Sequence, residues 1–353
     1  MIATHSLQSF ASDNNAGVHP RIMQAMADAN RADAIAYGDD PWTEALAACL
    51  GELLGPACRS FPVFLGAAAN VLCLQAMTQP WEAVICAPSA HINRDECGAA
   101  EAIAGRKLLA TVPNSQGHGK ISPRDIIPLL GARGFVHQVQ PRVVSITQST
   151  ELGACYSLTE LRELASFCKE RDLLLHMDGA RLPNACAALG CSLKEMTADV
   201  GLDALTLGGT KNGMMFGEVV IVFREDLAAA LPFLRKQGMQ LVSKMRFLSA
   251  QLLALYGSDL WLENARHANA MASVLAERVA RLPGLEFVHP VQTNALFVRA
   301  PRRALARLRE EFFFYFWDDG TSDRPVARWM TSWSTTEEAV GCFVDRLQAA
   351  LME

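Results

Sequence analysis

The 353-residue sequence has no clustered run of lysines and arginines, and its net charge is −5. Proteins that bind nucleic acids usually present a basic face, so we expect no nucleic-acid partner. Long apolar runs are also missing, because stretches such as residues 173–175 are far shorter than the roughly 18 residues of a membrane-spanning helix. We therefore expect no membrane partner. Hydrophobic residues make up 50% of the chain and charged residues 20%, which excludes a disordered protein.

The ten cysteines form no C-x-x-C pair. Zinc and thiol-redox motifs therefore lack their usual sequence support, and we expect no metal. Most of these cysteines lie in apolar periodic segments, as small buried hydrophobic residues do. The first six residues lack a basic stretch followed by an apolar core, so we expect no secretory signal. Scattered thiols without such a signal are typical of a reducing compartment, which predicts a cytoplasmic protein.

From residue 61 onward, short apolar runs alternate with helical stretches. Strands that are apolar on both faces and separated by helices favour a buried, mostly parallel sheet with helices on both faces, an α/β fold. The predicted strands cover residues 61–65, 83–87, 107–111, 142–147, 173–177, 204–207 and 219–223. The predicted helices between them cover residues 68–77, 123–130, 158–170 and 183–189.

The pattern changes after Gly238, where residues 240–256 and 260–282 are predicted to form two long helices. We expect a large domain over residues 1–255 and a smaller α+β domain over residues 256–353. The predicted elements of the tail are strands 285–288, 295–299 and 326–331 and a helix from Thr335 to about residue 351. The aromatic cluster at 312–317 is interpreted as a core strand, with the lining of a substrate pocket as the alternative.

Asp178 ends the apolar run at 173–177 and is followed by a glycine and, three positions on, by Arg181. In an open parallel sheet, ligands gather outside the carboxyl ends of the strands, and Asp178 has that position. Its carboxylate could bind a metal or pair with a cationic ligand nitrogen. The structural alternative is an N-cap of the following helix.

Lys211 follows another predicted strand and is flanked by glycines on both sides. Glycines allow a backbone to approach a ligand closely. A lysine between apolar runs is disfavoured in its charged form, and a neutral amine can attack a carbonyl to form a Schiff base. A solvated loop lysine is the alternative interpretation.

The third segment, Phe64 to Asn70, runs from a strand through small residues into a helix. Backbone N–H groups at such a helix start favour a phosphate, although tight packing alone also selects small residues. A carbonyl-attacking lysine, a strand-end Asp and a phosphate turn together suit pyridoxal 5′-phosphate (PLP). No G-x-G-x-x-G motif follows the first predicted strand, which disfavours a nucleotide-binding enzyme.

The chain resembles the low-specificity L-threonine aldolases, PLP-dependent enzymes of fold type I in the aspartate aminotransferase superfamily. The resemblance spans most of the chain, and the combination of its segments is far more specific than any one of them. The matching segments are Ser12-Asp13-Asn14, Tyr37-Gly38-Asp39-Asp40, Gly66 to Asn70, His91-Ile92, Asp95 to Ala99, His176 to Leu182, Gly208 to Gly213 and Ser243 to Phe247.

The resemblance implies roles for the polar residues of these segments. Lys211 matches the Schiff-base lysine and Asp178 the carboxylate that faces the pyridinium nitrogen of PLP. Arg181 matches an arginine beside the cofactor's ring hydroxyl and the substrate carboxylate, with an ion pair to Asp178 alone as the alternative. His91 matches a histidine that stacks on the ring and moves protons, with a hydrogen-bonded core histidine as the alternative.

The phosphate turn matches at Gly66, Ala67 and Ala68. Family members usually have Thr or Ser where Ala67 stands, so one phosphate hydrogen bond, worth about 1.5–3 kcal/mol, is in doubt here. Backbone N–H donors at the helix start remain.

Ser12 and Arg328 match residues that hold the amino-acid carboxylate. Tyr37 matches a residue that reaches the neighbouring subunit's site, and the family is usually tetrameric, so self-association as a homotetramer or dimer is implied. Lys244 and Arg246 could likewise reach a phosphate across an interface, or form a solvated helix face. Many family members have a substrate-contacting histidine near Thr150, for which Glu151 is the candidate here.

The implied reaction is the retro-aldol cleavage of threonine, allo-threonine or a related β-hydroxy-α-amino acid such as phenylserine to glycine and an aldehyde. The alternatives are a β-eliminating lyase, an aminotransferase, or a non-catalytic PLP-binding amino-acid sensor.

Overall fold

The computed structural model describes residues 8–318 and 320–352. Residues 1–7, 319 and 353, which the domain predictions include, lie outside the described residues. The strands are β1 Gln8–Ser9, β2 Arg59–Val63, β3 Glu82–Cys86, β4 Lys107–Ala110, β5 Gln140–Thr147, β6 Leu174–Gly179, β7 Ala204–Gly208, β8 Glu218–Val222, β9 Glu286–Phe287, β10 Ala295–Arg299, β11 Phe312–Phe313, β12 Tyr315–Phe316 and β13 Val326–Met330.

The helices are α1 Pro20–Ala29, α2 Pro41–Leu54, α3 Gly66–Met77, α4 His91–Arg94, α5 Ala99–Ala102, α6 Pro123–Ile126, α7 Leu158–Glu170, α8 Leu182–Leu189, α9 Leu193–Met196, α10 Glu225–Ala228, α11 Leu231–Gln237, α12 Met245–Tyr256, α13 Leu260–Val279, α14 Arg302–Leu308 and α15 Glu337–Met352. Within the described chain, no helix combines the length and the apolar character needed to cross a bilayer.

The largest sheet has seven strands in the order β2-β8-β7-β6-β5-β3-β4. Strands β4, β3, β5, β6 and β7 are parallel, whereas β8 runs antiparallel to both β7 and β2. Every residue of β6, β7 and β8 is buried, as expected for a sheet that is covered on both faces. The predicted α/β, mostly parallel fold is confirmed, and the parallel strands deliver their carboxyl ends to one edge.

Two large hydrophobic clusters and a small third one around Phe297 stabilise the described part of the chain. The larger packs around the seven-stranded sheet and extends to Trp261. The second includes Trp329, Phe343 and Leu347 of the tail and also Phe10 of the N-terminal segment. Strand β1 accordingly pairs with β11, and the four-stranded sheet β12-β13-β10-β9 is antiparallel. The boundary at residue 255 stays a prediction.

Three predicted elements differ from the structure by more than a shift of a few residues at their ends. The α12 helix begins at Met245, because Gln240 lies in a loop where its side chain accepts a hydrogen bond from Phe64 N–H (3.0 Å). The predicted helix 123–130 is α-helical only to Ile126 and continues as a 3₁₀ turn that contains Pro128, which has no N–H to donate. The aromatic cluster is not one strand, because β11 and β12 flank the buried Phe314 and join different sheets.

All ten cysteines are free thiols in the structure. Five are buried within the fold: Cys73, Cys86, Cys155, Cys168 and Cys186. Burial raises the pKa of each of these five thiols, so they stay protonated. Over residues 8–318 and 320–352, no group of three or more His, Cys, Asp or Glu side chains could hold a metal ion.

Candidate active site

A cavity of about 530 Å³ opens at the carboxyl edge of the parallel strands, a volume typical of sites for small molecules and cofactors. Six of the predicted site residues line it: Gly66, Ala67, His91, Asp178, Arg181 and Lys211. An adjoining cavity of about 480 Å³ shares His91, Arg181 and Lys211 with the first. This second cavity brings in Ser12, Tyr315, Trp317 and Arg328. The fold therefore assembles residues from both ends of the chain around Lys211.

Asp178 lies at the end of β6 and is 5% exposed. Its Oδ2 accepts a hydrogen bond from Asn70 Nδ2 (2.9 Å), and its Oδ1 accepts one from Ala180 N–H (3.0 Å). The next helix, α8, has Arg181 at its N-cap and no side-chain cap. The Asp178 carboxylate therefore does not cap that helix and faces the cavity.

Lys211 lies on a 3₁₀ turn, Thr210–Asn212, directly after β7. No hydrogen bond or ion pair engages its ammonium group within the described part of the chain. The turn is fixed from behind, because Asn212 Nδ2 donates to Trp261 O (2.8 Å) and Asn264 Nδ2 donates to Asn212 O (2.9 Å). A lysine on a rigid support with a free amine can serve as a nucleophile toward a carbonyl.

His91 is linked to Asp178 by a chain of buried polar side chains. His91 Nδ1 lies 2.8 Å from Glu96 Oε1, and Asn70 Nδ2 donates to the same oxygen (2.8 Å) as well as to Asp178. The hydrogen bond to Glu96 raises the pKa of His91 above its usual value, although burial opposes this. A carboxylate at Nδ1 holds the proton on that nitrogen and leaves Nε2 for a ligand.

Glu151 lines both cavities. Its Oε1 accepts hydrogen bonds from His91 N–H and from the Thr147 hydroxyl, both at 2.8 Å, whereas its Oε2 is enclosed without a partner. Burial raises the pKa of Glu151 to about 7. A carboxyl group with this pKa changes its protonation near neutral pH.

Arg181 binds Asp13 rather than Asp178. Its Nε and Nη2 donate to the two Asp13 oxygens, both at 2.8 Å. The side chains are 17% and 1% exposed, respectively. Burial acts to raise the pKa of Asp13, but the positive charges of Arg181 and Lys211 and the hydrogen bonds from Arg181 and Asn294 together outweigh it, and the pKa lies below its ordinary value. The predicted alternative of an Arg181–Asp178 pair is therefore not observed.

Arg328 and Ser12 border the second cavity. Arg328 Nη2 donates to Ala11 O (2.9 Å), and its guanidinium lies 4.8 Å from the Trp317 ring centre and 5.7 Å from that of Tyr315. Burial, together with the positive charge of Arg181, lowers the pKa of Arg328 to about 10. The Ser12 hydroxyl accepts from Asn14 N–H (3.2 Å). Two guanidinium groups thus bound a cavity suited to an anion.

The small-residue turn begins α3, and Leu65 caps the helix without a side-chain hydrogen bond. Gly66 and Ala67 line the first cavity, whereas Ala68 lines a separate groove beside α11. The first N–H groups of α3 thus lack side-chain acceptors at the cavity, as in anion sites at helix starts.

Tyr37, Lys244 and Arg246 do not line either cavity of this chain. Tyr37 is 49% exposed, and the Lys236 ammonium lies 4.8 Å from its ring centre. Lys244 is exposed at the start of α12, and Arg246 Nη1 donates to Ala32 O (2.8 Å). Tyr37 lies beside the start of α12, because its N–H donates to Ser243 O (2.9 Å).

The polar residues that the predicted set lacks include Asp13, Asn70, Glu96 and Glu218. Asp13, Asn70 and Glu96 lie inside the matched segments, so their place beside predicted residues was a usable signal. Glu218 begins β8 and is 6% exposed. A single acidic residue before a strand carries no functional signal in the sequence.

Known proteins resemble this chain over most of its length. The family model described as "Beta-eliminating lyase" matches residues 9–302. The low specificity L-threonine aldolase of Pseudomonas aeruginosa is 43% identical over 96% of this chain and 96% of its own length. The enzyme of the same name from Escherichia coli K12 is 29% identical over 82% of this chain and 83% of its own length.

Solved structures also resemble the chain. A threonine aldolase of Leishmania major superposes with a TM-score of 0.92 at 31% identity and covers 98% of this chain and 99% of its own. The aspartate aminotransferase of Thermus thermophilus has a TM-score of 0.72 at 18% identity, with 98% of this chain and 92% of its own covered, and shares the fold.

Proposed function

The chain belongs to the beta-eliminating lyase family and, within it, to the low-specificity L-threonine aldolases, and on this premise we propose that it is a PLP-dependent aldehyde-lyase. It cleaves the Cα–Cβ bond of threonine, allo-threonine or a related β-hydroxy-α-amino acid such as phenylserine to give glycine and an aldehyde. The observation that carries the proposal is that Lys211, His91, Asp178 and Arg181 line one cavity.

The chemistry of these side chains fits PLP. The Lys211 amine, without another partner, would bind the aldehyde carbon, and the Asp178 carboxylate would pair with the ring nitrogen. The uncapped start of α3 at Gly66 and Ala67 would hold the phosphate. Ala68, which faces a separate groove, would contribute only its backbone N–H. When bound, PLP supplies an electron sink for the electrons that the broken bond releases.

The remaining residues would bind the amino acid and move its protons. Arg181 and Arg328, with Ser12, would hold the substrate carboxylate, because planar guanidinium groups match carboxylate geometry. His91 Nε2 would accept the β-hydroxyl proton, directly or through water, while Glu96 holds Nδ1. Arg181 keeps Nη1 for the substrate, since Nε and Nη2 are bound to Asp13.

A product assay with threonine, allo-threonine and phenylserine, with and without added PLP, tests this proposal. We expect equal amounts of glycine and aldehyde. Ammonia release would indicate a β-eliminating lyase, a requirement for a keto acid would indicate an aminotransferase, and binding of glycine without turnover would indicate a sensor. Each of these three results contradicts the aldolase proposal.

The Lys211→Ala variant tests the cofactor linkage. It should lose both the visible absorption that borohydride abolishes and aldehyde release from threonine, while Lys169→Ala, on the exposed face of α7 and outside both cavities, should retain both. Retention of either property by Lys211→Ala would refute the assignment of Lys211.

We also propose that the chain self-associates as a homotetramer or dimer and that Tyr37 contributes to the neighbouring subunit's site, because it is half-exposed and lines neither cavity of its own chain. Its ten free thiols support a cytoplasmic location. Sedimentation of the wild-type protein and of Tyr37→Phe tests the self-association. The KM values of the two proteins test the contribution of Tyr37 to the neighbouring site. A monomer with full activity would contradict it.

A further inference from the structure

Glu218 is a carboxyl group of the larger cavity that has no part in the mechanism above. Glu218 begins β8, directly opposite Gly208 at the end of β7. Its Oε2 lies 3.2 Å from Gly209 N, which donates to it. It lines the same cavity as Gly66, Ala67 and Lys211 although it is 6% exposed. A nearly buried acid within a cofactor cavity requires a physical explanation.

Glu218 lies beside the proposed phosphate turn. A Cβ atom placed on Gly66 would be 3.9 Å from both Cγ and Cδ of Glu218. An anion held by the first N–H groups of α3 would therefore face this carboxyl group. Two anions in such proximity and away from water repel each other strongly, because the local dielectric constant is low. One proton shared between them removes the repulsion.

The phosphate turn also lacks one hydrogen-bond donor, and a protonated Glu218 would supply it. Ala67 has no hydroxyl, so the turn offers a phosphate only backbone N–H groups. A protonated carboxyl group supplies one O–H donor, and O–H to phosphate contacts are among the stronger hydrogen bonds. The same exchange converts an electrostatic conflict into an attractive contact.

The surroundings of Glu218 favour its neutral form. Burial raises the pKa of Glu218 to about 7, although the positive charge of Lys211 and hydrogen bonds from Thr210 act against this and the negative charge of Asp178 adds to it. From α12, Tyr256 faces it as a neutral phenol, because burial raises its own pKa. On α3 the only titratable group is Cys73, whose thiol is protonated.

We propose that Glu218 binds the cofactor phosphate as a neutral carboxylic acid, so that cofactor binding above neutral pH takes up one proton at this end of the cavity. The inference rests on the proposed function, since it requires PLP in this cavity. Below neutral pH the proton is already present on Glu218. Above it, the proton must come from water, which makes the phosphate contact pH-dependent.

The test uses the full chain freed of PLP and two ring analogues without an aldehyde: 4′-deoxypyridoxine 5′-phosphate and 4′-deoxypyridoxine. Neither can react with Lys211, and the ratio of their dissociation constants isolates the phosphate. In the wild-type protein, the phosphate's contribution to affinity should fall about tenfold per pH unit between about pH 7.5 and 9, since one proton is taken up. In Glu218→Gln, whose amide donates at every pH, it should change less than about threefold over the same range.

Asp203→Asn is the matched control, because Asp203 is another partly buried carboxyl group, near the opposite end of the sheet and outside both site cavities. In this variant, the phosphate's contribution to affinity should fall with pH as steeply as in the wild type. A wild-type slope in Glu218→Gln would overturn the inference. A second result would also overturn it: in Glu218→Gln, the pH midpoint of the absorbance of bound PLP shifts, while the pH dependence of the phosphate's contribution to affinity stays as in the wild type. Glu218 would then act on Lys211 alone.

If Glu218→Gln does not fold, calorimetry of the wild type in two buffers of different ionisation enthalpy decides the question. At pH 8 the phosphorylated analogue should take up close to one proton more than the unphosphorylated one, and an equal uptake would overturn the inference. Absence of any Schiff-base absorption on adding PLP to the wild type would instead refute the proposed function, and this inference with it.

Discussion

Arg181 holds Asp13 by two parallel hydrogen bonds of 2.8 Å, between side chains that are 168 positions apart in the sequence. Asn294 Nδ2 adds a third hydrogen bond to Asp13, at 3.1 Å. The pair fixes the guanidinium at the boundary between the two cavities and ties the N-terminal segment to the large sheet. Asp13 is therefore the structural partner of Arg181, which leaves Asp178 available for the cofactor.

The Asp13→Asn variant should be markedly less stable. Removing one partner of a buried ion pair leaves an uncompensated charge, so we expect the free energy of unfolding to fall by about 3–5 kcal/mol in denaturant titrations at pH 7. Asp28→Asn, which removes an exposed pair with Arg31, is the control and should cost less than about 1 kcal/mol. Equal losses for the two variants would contradict the assigned role.

The pH dependence of this pair has a defined sign. The pKa of Asp13 lies below its ordinary value of 3.8 in the folded protein. Its contribution to stability is therefore complete above pH 3.8 and disappears as the pH falls through the folded-state pKa. The difference in the free energy of unfolding between the wild type and Asp13→Asn should therefore narrow as the pH falls below 3.8. A difference that stays constant over this range would contradict the lowered pKa of Asp13.

The strands of the large sheet could be predicted to within a few residues because each is an apolar run bounded by polar or small residues. The predicted helix 158–170 matches α7, whose capping box of Ser157 and Glu160 is local in sequence. Strand β1 could not be predicted, since two residues acquire strand geometry only by pairing with β11. The division of the aromatic cluster at Phe314 is likewise a tertiary effect.

For the candidate site, the gathering of Lys211, Asp178 and His91 around one cavity could be predicted, because each lies at or after the end of an apolar strand. The partners that orient them could not. Glu96 contacts Asn70, 26 residues away, and that residue contacts Asp178, 108 residues away. Such pairings depend on which strands are neighbours in the sheet, which the order of elements along the chain does not determine.

His91 should titrate at a lower pH in the Glu96→Gln variant. The hydrogen bond to Glu96 raises the pKa of His91, so removal of the negative charge should lower it, as measured by NMR titration of the imidazole. If neutral His91 accepts the β-hydroxyl proton, the acidic limb of the kcat profile should move to lower pH as well. His91→Asn should reduce kcat by about 10²–10⁴-fold.

The exposed Glu101 on the neighbouring α5 provides the control. Glu101→Gln should leave the His91 titration unchanged. An unchanged pKa in Glu96→Gln would remove Glu96 from its positioning role, whatever the effect on activity.

The Glu151→Gln variant should gain stability relative to the wild type as the pH rises. Burial raises the pKa of Glu151 from 4.5 to about 7, so the folded wild type binds more protons than the unfolded chain between these values. Its contribution is full below pH 4.5 and is lost as the pH rises through about 7. The relative gain between pH 4 and 8 should be roughly 2–3 kcal/mol in denaturant titrations.

Glu195→Gln serves as the control, because Glu195 is exposed and its pKa lies below 4.5. It stays ionised over the upper part of the range, and its difference from the wild type should be constant between pH 5 and 8. A parallel course for the Glu151 and Glu195 variants would show that Glu151 does not titrate near neutrality.

The Gly208→Ala variant should weaken both the fold and cofactor binding. A Cβ on Gly208 would lie 2.8 Å from Ala180 O and 2.9 Å from Glu218 Oε2, so the end of β7 would have to move away from the segment that carries Asp178. Overpacking of this kind costs about 1–3 kcal/mol, and PLP affinity, measured by absorbance titration, should fall by about tenfold or more.

Gly51→Ala is the matched substitution, because Gly51 lies within α2 and a Cβ there meets nothing within 4 Å. It should raise the free energy of unfolding by about 0.5–1 kcal/mol and leave PLP affinity unchanged. If Gly208→Ala binds PLP as tightly as Gly51→Ala does, the close contact between β7 and the Asp178 segment does not control cofactor binding.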